Sequence, residues 1–333
     1  MIVLSIIIPC YNVSQYIRAT IASLKKQTRS DIEFIFVNDG STDNTKEIIC
    51  SFAASDDRVK LIDKQNGGVS AARNDAIAVA EGEYIYLLDG DDYLTDDAAE
   101  TMVNYLKKLN CDMLLSNIWL VNGSDKTLYR HGIPKGIYTP NSLFNTCSIF
   151  PTPPQNAYRR SIITTNKIRF NENTRCGEVY EFTVNFMRHA QSISVVDDCF
   201  AHYVMRSGSA IHKVNHEADR STLDLIEALY RNGDVFIDCI AFHLTAFQMV
   251  TSFTYNKYLL TGNNTPEVKE TLKQMFDNAQ FIRCAKKVAW QPHKCHAKRI
   301  LAIFILIFKQ FGFNLAASAQ KVVRLKNHLS TNS

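Results

Sequence analysis

The spacing of short apolar runs limits how the first 90 residues of this chain can fold. The runs lie at residues 2–8, 32–37, 59–62 and 84–88. Segments with helical periodicity alternate with them, at residues 13–27, 41–52 and 70–80. Short runs that are rich in β-branched residues are typical of strands buried on both faces. Their alternation with helices predicts an α/β fold, in which a mixed, mostly parallel sheet carries helices on both faces.

Polar residues follow three of the predicted strands. They are Pro9-Cys10-Tyr11-Asn12, Asp39-Gly40-Ser41 and Asp89-Gly90-Asp91-Asp92. Ligands of open α/β sheets bind outside the carboxyl ends of the strands, so we expect these segments to meet in one crevice. No glycine follows the first strand and there is no P-loop, which argues against a site that wraps a pyrophosphate in backbone amides. Ser41 or Thr42 is the expected N-cap of the second helix.

Three carboxylates follow the fourth predicted strand within four residues, at Asp89, Asp91 and Asp92. Like charges this close repel one another, and a cation among them removes the conflict. Hard oxygen ligands of this kind favour Mg²⁺ or Mn²⁺. The alternative interpretation is an acidic turn in which Asp91 or Asp92 caps the next helix.

Single residues at the other strand ends fit a nucleotide. Tyr11 offers a ring on which a base can stack, and Asp39 can accept a hydrogen bond from a base N–H. Arg73 lies among small residues of the third predicted helix and can reach into the crevice. Taken one at a time, these side chains also fit a rim aromatic, a turn residue and a surface charge. Their shared position at successive strand ends favours a site.

Four segments together resemble the family 2 glycosyltransferases. They are residues 5–12, 36–43, 66–74 and 88–92, and a weaker likeness extends to about residue 215. The resemblance implies a GT-A fold and a nucleoside-diphosphate-sugar donor, with UDP favoured. It also implies transfer of the sugar, with inversion at the anomeric carbon, to a glycan or lipid-linked acceptor. Cell-surface polysaccharide such as capsule or O-antigen is the expected product class.

The same resemblance implies roles for individual residues. Tyr11 and Asp39, with Pro9 beside them, would hold the base, and Arg73 would lie near the base and phosphates. Asp89-Gly90-Asp91 would be the D-x-D element, in which Asp89 faces the ribose and the metal while Asp91 ligates Mn²⁺ or Mg²⁺. Arg206 and Ser209, in a later loop, would close over the diphosphate. Residues 156–160 resemble a segment on the acceptor side.

The catalytic base departs from the family pattern. The family places it in a G-E-D-x-x-F segment, and the corresponding residues here are Gly177-Glu178-Val179-Tyr180-Glu181-Phe182. Val179 stands where the Asp is expected and cannot accept a proton. Glu178 is the favoured substitute and Glu181 the alternative, although both also fit as first-turn acids of a helix. The departure keeps a second function open, that of a catalytically silent sugar-nucleotide-binding or scaffold subunit. A sugar-nucleotide pyrophosphorylase is disfavoured because its Gly-rich loop is missing.

Charge divides the chain into two regions. Residues 283–333 hold ten Lys or Arg and no Asp or Glu, whereas the preceding residues hold 27 basic and 33 acidic side chains. We expect a GT-A catalytic domain over residues 1–215, with a nucleotide-sugar half to about 110 and an acceptor half from 111. A helical, basic region follows over residues 216–333, with helices predicted at 223–230, 235–260, 266–281 and 297–325. The acidic first domain argues against nucleic acid.

The basic region has two interpretations. Residues 300–308 are nine consecutive apolar residues flanked by cations. They fit a helix packed on the catalytic domain, or an interfacial helix on anionic lipid, which would suit a lipid-linked acceptor. No run reaches the ~18–20 apolar residues that span a bilayer. Nine scattered cysteines and the lack of a signal-peptide pattern favour the cytoplasm, with peripheral contact on the cytoplasmic face of the inner membrane. Residues 293–296 contain His and Cys but are too short a tract to predict a metal site.

Overall fold

A mixed sheet flanked by helices organises the part of the chain that the computed structural model describes. The described residues are 1–146, 153–174, 177–206, 216–232, 234–236, 239–250, 270, 273–274 and 277–289. The chain divides into two units, Met1–Glu172 with Glu178–Ser209 and Asn173–Gly177 with Ala210–Ser333. The predicted domain boundary at residue 215 falls outside the described residues and stays a prediction.

Ten strands form the sheet within the described residues. They are β1 (Leu4–Cys10), β2 (Ile32–Asp39), β3 (Val59–Lys64), β4 (Tyr84–Leu87), β5 (Tyr93–Leu94), β6 (Met113–Asn122), β7 (Asp125–Tyr129), β8 (Gly136–Tyr138), β9 (Asn156–Arg159) and β10 (Ile193–Val204). Their spatial order is β3-β2-β1-β4-β9-β6-β10-β5, with β7 beside β6 and β8 beside β10.

Helices alternate with these strands in the first unit and make up most of what is described of the second. They are α1 (Ile17–Lys25), α2 (Thr45–Ala53), α3 (Val69–Val79), α4 (Ala98–Leu109), α5 (Pro140–Thr146), α6 (Arg160–Thr165), α7 (Glu178–Met187), α8 (His216–Asn232), α9 (Ile240–Val250) and α10 (Ala279–Ala289). Short 3₁₀ turns occupy Pro153–Gln155 and Asp234–Phe236. The predicted mixed sheet with flanking helices is thus confirmed.

The strand directions bring several carboxyl ends to one edge. β1 is parallel to β2 and β4, and β2 is parallel to β3. β9 runs antiparallel to both β4 and β6, while β6 and β10 are parallel. The carboxyl ends of β1, β2, β4, β6 and β10 therefore point the same way. The loops after these strands share that edge of the sheet.

A hydrophobic core fixes the nucleotide half of the sheet. All seven residues of β1 and all eight of β2 are buried, as expected for strands covered on both faces. On one face, Ile6, Phe34 and Tyr86 share a core with Leu24 of α1 and Met102 of α4. Each large apolar side chain buried in this way contributes about 1.5–3 kcal/mol to folding.

The start of α2 corrects one expectation. The residues expected to cap it, Ser41 and Thr42, instead bond the loop after β1: Asn12 N donates to Ser41 Oγ (3.0 Å) and Thr42 N donates to Asn12 Oδ1 (2.8 Å). Asp43 bonds the first turn, since its Oδ1 accepts from Thr45 N at 3.0 Å. The Ser41 and Thr42 prediction was wrong because these side chains bind a loop that is distant in sequence.

Three strands have no counterpart in the sequence prediction. β5 is only two residues long, β9 follows a 3₁₀ turn, and β10 contains polar residues and register shifts against β6. β7 and β8 also lie outside the predicted apolar runs, and they pair with different strands. β5, β8, β9 and β10 pair with strands that are far away in sequence, which local periodicity does not indicate, whereas β7 pairs with the adjacent β6.

The second unit is helical where it is described. Helix α8 contains the whole of the predicted segment 223–230, α9 lies within the predicted segment 235–260, and α10 follows. The predicted helix at 297–325, the apolar block at 300–308 and the tract at 293–296 lie outside the described residues. Among the residues that are described, no helix combines the length and hydropathy needed to span a membrane.

Candidate active site

The Asp89–Asp92 loop follows β4 at the shared edge of the sheet. Thr20 of α1 holds this loop, because the Thr20 hydroxyl donates hydrogen bonds to the carbonyl oxygens of Gly90 (3.0 Å) and Asp92 (2.7 Å). A Cβ atom added to Gly90 would lie 2.8 Å from Cys10 Sγ, nearer than real Cβ atoms approach. The loop therefore requires glycine at position 90, packed directly on the end of β1.

The loop after β1 presents an aromatic ring at the same edge. Pro9 pairs with Val37 in the parallel register of β1 and β2. Tyr11 comes two residues later and is 51% exposed. Asn12 adopts a positive φ of 51° and its side chain accepts a hydrogen bond from the loop after β2. An exposed ring on a loop fixed in this way is suited to stacking against a flat ligand.

Asp39 holds the third strand-end loop. Its Oδ1 and Oδ2 accept hydrogen bonds from the backbone N–H groups of Gly67 and Gly68, each at 2.8 Å. Asn66 Nδ2 donates to the Asp39 carbonyl at 2.8 Å. Gly40, with φ of 70°, approaches Asn66 so closely that an added Cβ would lie 2.6 Å from its nitrogen. Each carboxylate oxygen has a second acceptor direction, so the role of Asp39 toward a base stays a prediction.

Arg73 connects the Asp89–Asp92 loop to helix α7. Its Nη2 donates to Asp89 Oδ1 and its Nη1 to Glu178 Oε1, both at 2.8 Å. The residue is 1% exposed, so both ion pairs are made by a buried guanidinium. The two carboxylates raise the pKa of Arg73 and outweigh the opposing effect of burial, which is the largest single influence. Removing one partner of such a buried pair costs about 3–5 kcal/mol.

Neighbouring side chains fix the loop that covers Arg73. Asn74 Nδ2 donates to the carbonyl of Phe170 at 2.9 Å, and Phe170 N donates back to Asn74 Oδ1 at 2.8 Å. The guanidinium carbon of Arg73 lies 5.3 Å from the centre of the Phe170 ring. Phe170 in turn stacks on Phe182 of α7, with ring centres 4.1 Å apart. Neither Asn74 nor Phe170 was predicted as a site residue. Asn74 ends the segment 66–74 that carries the family resemblance, whereas no local pattern marks Phe170.

Asp91 forms an ion pair with Arg206. The distance from Arg206 Nε to Asp91 Oδ2 is 2.5 Å, and the guanidinium lies over the ring of Tyr16. Burial, and then the charge of Asp89, raise the pKa of Asp91 to about 6, while Arg206 acts in the opposite direction. The predicted partner of Arg206 in the same loop, Ser209, lies outside the described residues.

Asp92 holds the loop in place. It is fully buried, and its Oδ1 accepts a hydrogen bond from Val204 N at the end of β10 (2.8 Å). Burial, followed by the charges of Asp89 and Asp91, raises the pKa of Asp92 well above its ordinary value. Asp92 does not bond the first turn of α4, so its role is to join the end of β10 to the loop.

The two candidate bases have different surroundings at the start of α7. Glu178 is the first residue of the helix and pairs with Arg73. Glu181 is 7% exposed and accepts a hydrogen bond from Asn171 Nδ2 at 3.3 Å. Val179, where the family places an Asp, is buried. Arg73 therefore links Glu178 to the D-x-D loop, whereas Glu181 is hydrogen-bonded to Asn171 in the acceptor half.

The acceptor-side segment 156–160 extends away from the site. It forms β9, whose Arg159 is paired with Tyr84 at the amino end of β4. Arg159 bonds Glu83 at 2.7 Å, and Arg160 Nε donates to the carbonyl of Gly82 at 2.6 Å. The two arginines therefore lie at the opposite end of β4 from Asp89.

The D-x-D carboxylates fit a divalent cation. The described residues contain no group of three or more His, Cys, Asp or Glu that would form an all-protein metal site. Mg²⁺ and similar ions are commonly held by one or two carboxylates together with substrate phosphates. Asp89 and Asp91 supply two such carboxylates at one strand end, where burial and then the charge of Asp89 raise the pKa of Asp91. The donor set therefore suits a cation that arrives with a phosphorylated ligand.

The fold belongs to a known structural class. The crystal structure of S. aureus TarS 1-349 in complex with UDP-GlcNAc matches with a TM-score of 0.72 and 22% sequence identity, covering 93% of this chain and 92% of that chain. A mixed sheet with a D-x-D loop at its carboxyl edge, matched over this length, defines the GT-A fold.

Sequence relatives identify the family. The family model described as Glycosyl transferase family 2 matches residues 5–165. The putative glycosyltransferase EpsH of Bacillus subtilis is 30% identical over 242 residues, which cover 70% of this chain and 68% of EpsH. The chain belongs to glycosyl transferase family 2, as the sequence motifs predicted. The poly(ribitol-phosphate) beta-glucosyltransferase of Bacillus spizizenii is 32% identical over 211 residues. This match covers 61% of the present chain but only about a third of that longer protein.

Proposed function

We propose that this chain transfers a sugar from a nucleoside-diphosphate sugar to a glycan or lipid-linked acceptor during assembly of a cell-surface polysaccharide. The observation that carries the proposal is the D-x-D loop, with Asp89 and Asp91 at the same sheet edge as Tyr11 and Asp39. The names of two similar proteins support it, since one is a poly(ribitol-phosphate) glucosyltransferase and the other was crystallised with UDP-GlcNAc. UDP is accordingly the nucleotide that we favour.

Binding of the donor is assigned to residues of the nucleotide half. Tyr11 provides a face for the base, and Asp39 an acceptor for a base N–H. Mn²⁺ or Mg²⁺, held by Asp91 and Asp89, would stabilise the negative charge of the departing diphosphate. Arg206 adds a guanidinium at the same loop, and guanidinium groups match phosphate oxygens well.

Transfer of the sugar requires a base on the acceptor side. The acceptor oxygen attacks the anomeric carbon, the bond from that carbon to the diphosphate breaks, and the configuration inverts. The acceptor hydroxyl proton passes to Glu178, which lies at the start of α7 and is oriented through Arg73. Because Val179 has no proton acceptor, Glu178 is the carboxylate nearest the expected position of the base.

A thermal-shift screen of sugar nucleotides with Mn²⁺ tests donor binding. A donor at concentration L that binds the folded protein raises its stability by RT ln(1 + L/Kd), so the preferred nucleotide gives the largest shift. Asp91→Asn should remove the metal-dependent part of that shift and lower sugar transfer by about 10²-fold or more. Full metal-dependent activity in Asp91→Asn would overturn the D-x-D assignment.

The choice of base is tested by comparing two matched variants. Glu178→Gln should lower turnover by about 10²–10⁴-fold, the contribution of general-base catalysis, while the affinity for UDP with Mn²⁺ stays within about threefold. Glu181→Gln should retain most turnover, since its carboxylate already bonds Asn171. The reverse result would assign the base to Glu181.

A silent sugar-nucleotide-binding or scaffold subunit is the second candidate function. The buried Val179 at the expected base position is the observation that favours it. Slow hydrolysis of a UDP-sugar in the presence of Mn²⁺ would argue against this alternative, because hydrolysis needs the same leaving-group stabilisation as transfer. Donor binding without any hydrolysis or transfer would support it.

Peripheral contact with anionic lipid on the cytoplasmic face of the inner membrane completes the proposal. Its support is the basic composition of residues 283–333. In α10, the cations Arg283, Lys286 and Lys287 are exposed, whereas the apolar side is buried. This helix therefore offers charge rather than apolar surface to a membrane.

A further inference from the structure

Arg73 is the one side chain shown above to touch both the D-x-D loop and the candidate base. The two carboxylates that it bonds, Asp89 and Glu178, are 89 positions apart in sequence and belong to different halves of the first unit. Both contacts are 2.8 Å long and use separate guanidinium nitrogens. One buried cation thus sets the spacing between a proposed metal ligand and a proposed proton acceptor.

The position of the guanidinium is fixed from several sides. Arg73 projects from α3, and the Phe170 ring lies against its guanidinium. Phe170 stacks on Phe182, which is one turn after Glu178 in α7, with ring planes only 3° apart. Asn74, adjacent to Arg73, bonds both the N–H and the carbonyl of Phe170. The same packing therefore holds α3, the Phe170 loop and the start of α7 together.

The charges around Arg73 argue against a direct contact with donor phosphates. One positive charge already serves two carboxylates, and the side chain is 2% exposed. Moving the guanidinium to a phosphate would leave Asp89 or Glu178 without its cation in a partly buried place. A carboxylate left in that state is unfavourable, and a phosphate brought nearby would add repulsion.

We propose that Arg73 is a positioning residue that acts through Glu178 and Asp89 rather than on the donor. This inference rests on the proposed function, in which Glu178 accepts the acceptor proton. By holding Glu178 at a set distance from the D-x-D loop, Arg73 places the base where the acceptor oxygen must attack. Where the family pattern places the base at position 179, this chain uses the preceding residue and an arginine to orient it.

A split between turnover and donor binding tests the proposal. Arg73→Met keeps much of the side-chain volume but removes both ion pairs, and should lower kcat by about 10²-fold, the scale of a misplaced catalytic group. Calorimetry should show the affinity for UDP with Mn²⁺ changed by less than about threefold. Arg73→Lys, which carries one ammonium and can serve one carboxylate well, should recover part of the lost kcat. If Arg73→Met does not fold, the comparison of Arg73→Lys with wild type provides the same split.

Two further variants separate positioning from general stability. Arg58→Met is the matched control, because Arg58 also pairs with a carboxylate, Asp56, and lies over an aromatic ring, Phe34, at the far side of the sheet. It should change thermal stability without the loss of kcat. In a Glu178→Gln background, Arg73→Met should cost little further activity, because the group it positions is already gone.

The outcomes are distinct. A tenfold or greater loss of UDP affinity in Arg73→Met with kcat unchanged would assign Arg73 to the donor and overturn the inference. An equal loss of kcat with and without Glu178 would also overturn it. Absence of any sugar transfer or donor hydrolysis by the wild-type protein overturns the proposed function itself, and the inference with it.

Discussion

At the scale of residues, the candidate site is a set of carboxylates balanced by two arginines. Arg73 serves Asp89 and Glu178, and Arg206 serves Asp91. Arg73 is enclosed by packing, whereas the Arg206 side chain is 31% exposed. The two arginines therefore differ in how readily they release their partners. We therefore expect a cation that binds Asp91 to displace Arg206 rather than Arg73.

Replacing Arg206 with Ala should therefore strengthen binding of Mn²⁺ alone. The positive charge that now neutralises Asp91 would be gone, so Asp91 would attract the ion without competition from Arg206. We expect a gain of about three- to tenfold in Mn²⁺ affinity, measured by electron paramagnetic resonance in the absence of nucleotide. Affinity for a UDP-sugar should fall, because a guanidinium that pairs with phosphate is lost.

The matched control is Lys26→Ala, which removes an exposed cation from Asp96 in the same unit. It should leave Mn²⁺ affinity unchanged. Weaker or unaltered Mn²⁺ binding in Arg206→Ala would contradict the view that Arg206 and the ion compete for Asp91.

At the scale of elements, β5 and β10 join the D-x-D loop to the acceptor half. Tyr93 follows Asp92 directly and pairs with His202 in the antiparallel register of β5 and β10. Their rings stack with centres 4.4 Å apart. Lys126 Nζ lies 3.4 Å from His202 Nε2. Burial, and then the charge of Lys126, lower the pKa of His202 to about 4.

The stability of the folded chain should therefore depend on pH through His202. Its folded-state pKa of about 4 is below the ordinary value of 6.5, so between these values the unfolded chain binds more protons. The stabilising contribution is full above pH 6.5 and is lost as the pH falls toward 4. We expect the free energy of unfolding to fall by about 1 kcal/mol between pH 7 and pH 5, a value reduced to allow for the partial exposure of His202.

Urea denaturation of wild type and His202→Phe at the two pH values measures the difference. The Phe variant keeps an aromatic ring on Tyr93 but cannot titrate, so it should lose less unfolding free energy between pH 7 and pH 5. Lys126→Met should also reduce the loss, because the neighbouring positive charge is removed. An identical pH dependence in all three proteins would show that His202 does not titrate as described.

At the scale of the whole molecule, charge is distributed unevenly along the chain. The first 282 residues are net acidic, and the ten cations after them are opposed by no acidic residue. In α10, Phe281, Ile282 and Val288 are buried while the cations remain exposed. Within the second unit, α10 packs against α9 and α8 through its apolar side, so attraction to lipid through this helix would be electrostatic. The apolar block at 300–308 stays a prediction.

The full-length protein should bind vesicles of equal parts phosphatidylglycerol and phosphatidylcholine, and not vesicles of phosphatidylcholine alone. Each Lys or Arg near an anionic surface contributes about 1 kcal/mol, and the attraction weakens as salt shortens the screening length. Co-sedimentation at about 0.1 M and about 0.5 M salt measures both effects. Lys286→Glu combined with Lys287→Glu should weaken binding severalfold.

The control carries the same change in charge on the first unit. Lys108→Glu with Lys135→Glu alters two exposed lysines there and should leave vesicle binding nearly unchanged. Equal loss in both double variants would indicate attraction to net charge rather than to the basic region. Salt-independent binding would point to apolar insertion instead.

The nucleotide half of the fold was predictable because its signals are local. The apolar runs of β1, β2 and β4 indicate that these strands are buried, and helical periodicity located α1 to α3 within a few residues. Parallel strands bring their carboxyl ends together, so Tyr11, Asp39 and Asp89 could be placed at one edge from sequence order alone. The resemblance to a family then supplied roles for them.

What the sequence by itself determined is the β-α-β alternation, the strand-end motifs and the family. The tertiary structure alone decided which of those residues bond one another. It paired β5 with β10 across more than a hundred residues, used Ser41 and Thr42 to hold a distant loop, and enclosed Arg73 between Asp89 and Glu178. The physical reason is that the sequence of each segment shows its own burial periodicity, whereas an ion pair or a two-residue strand forms only when remote segments pack together.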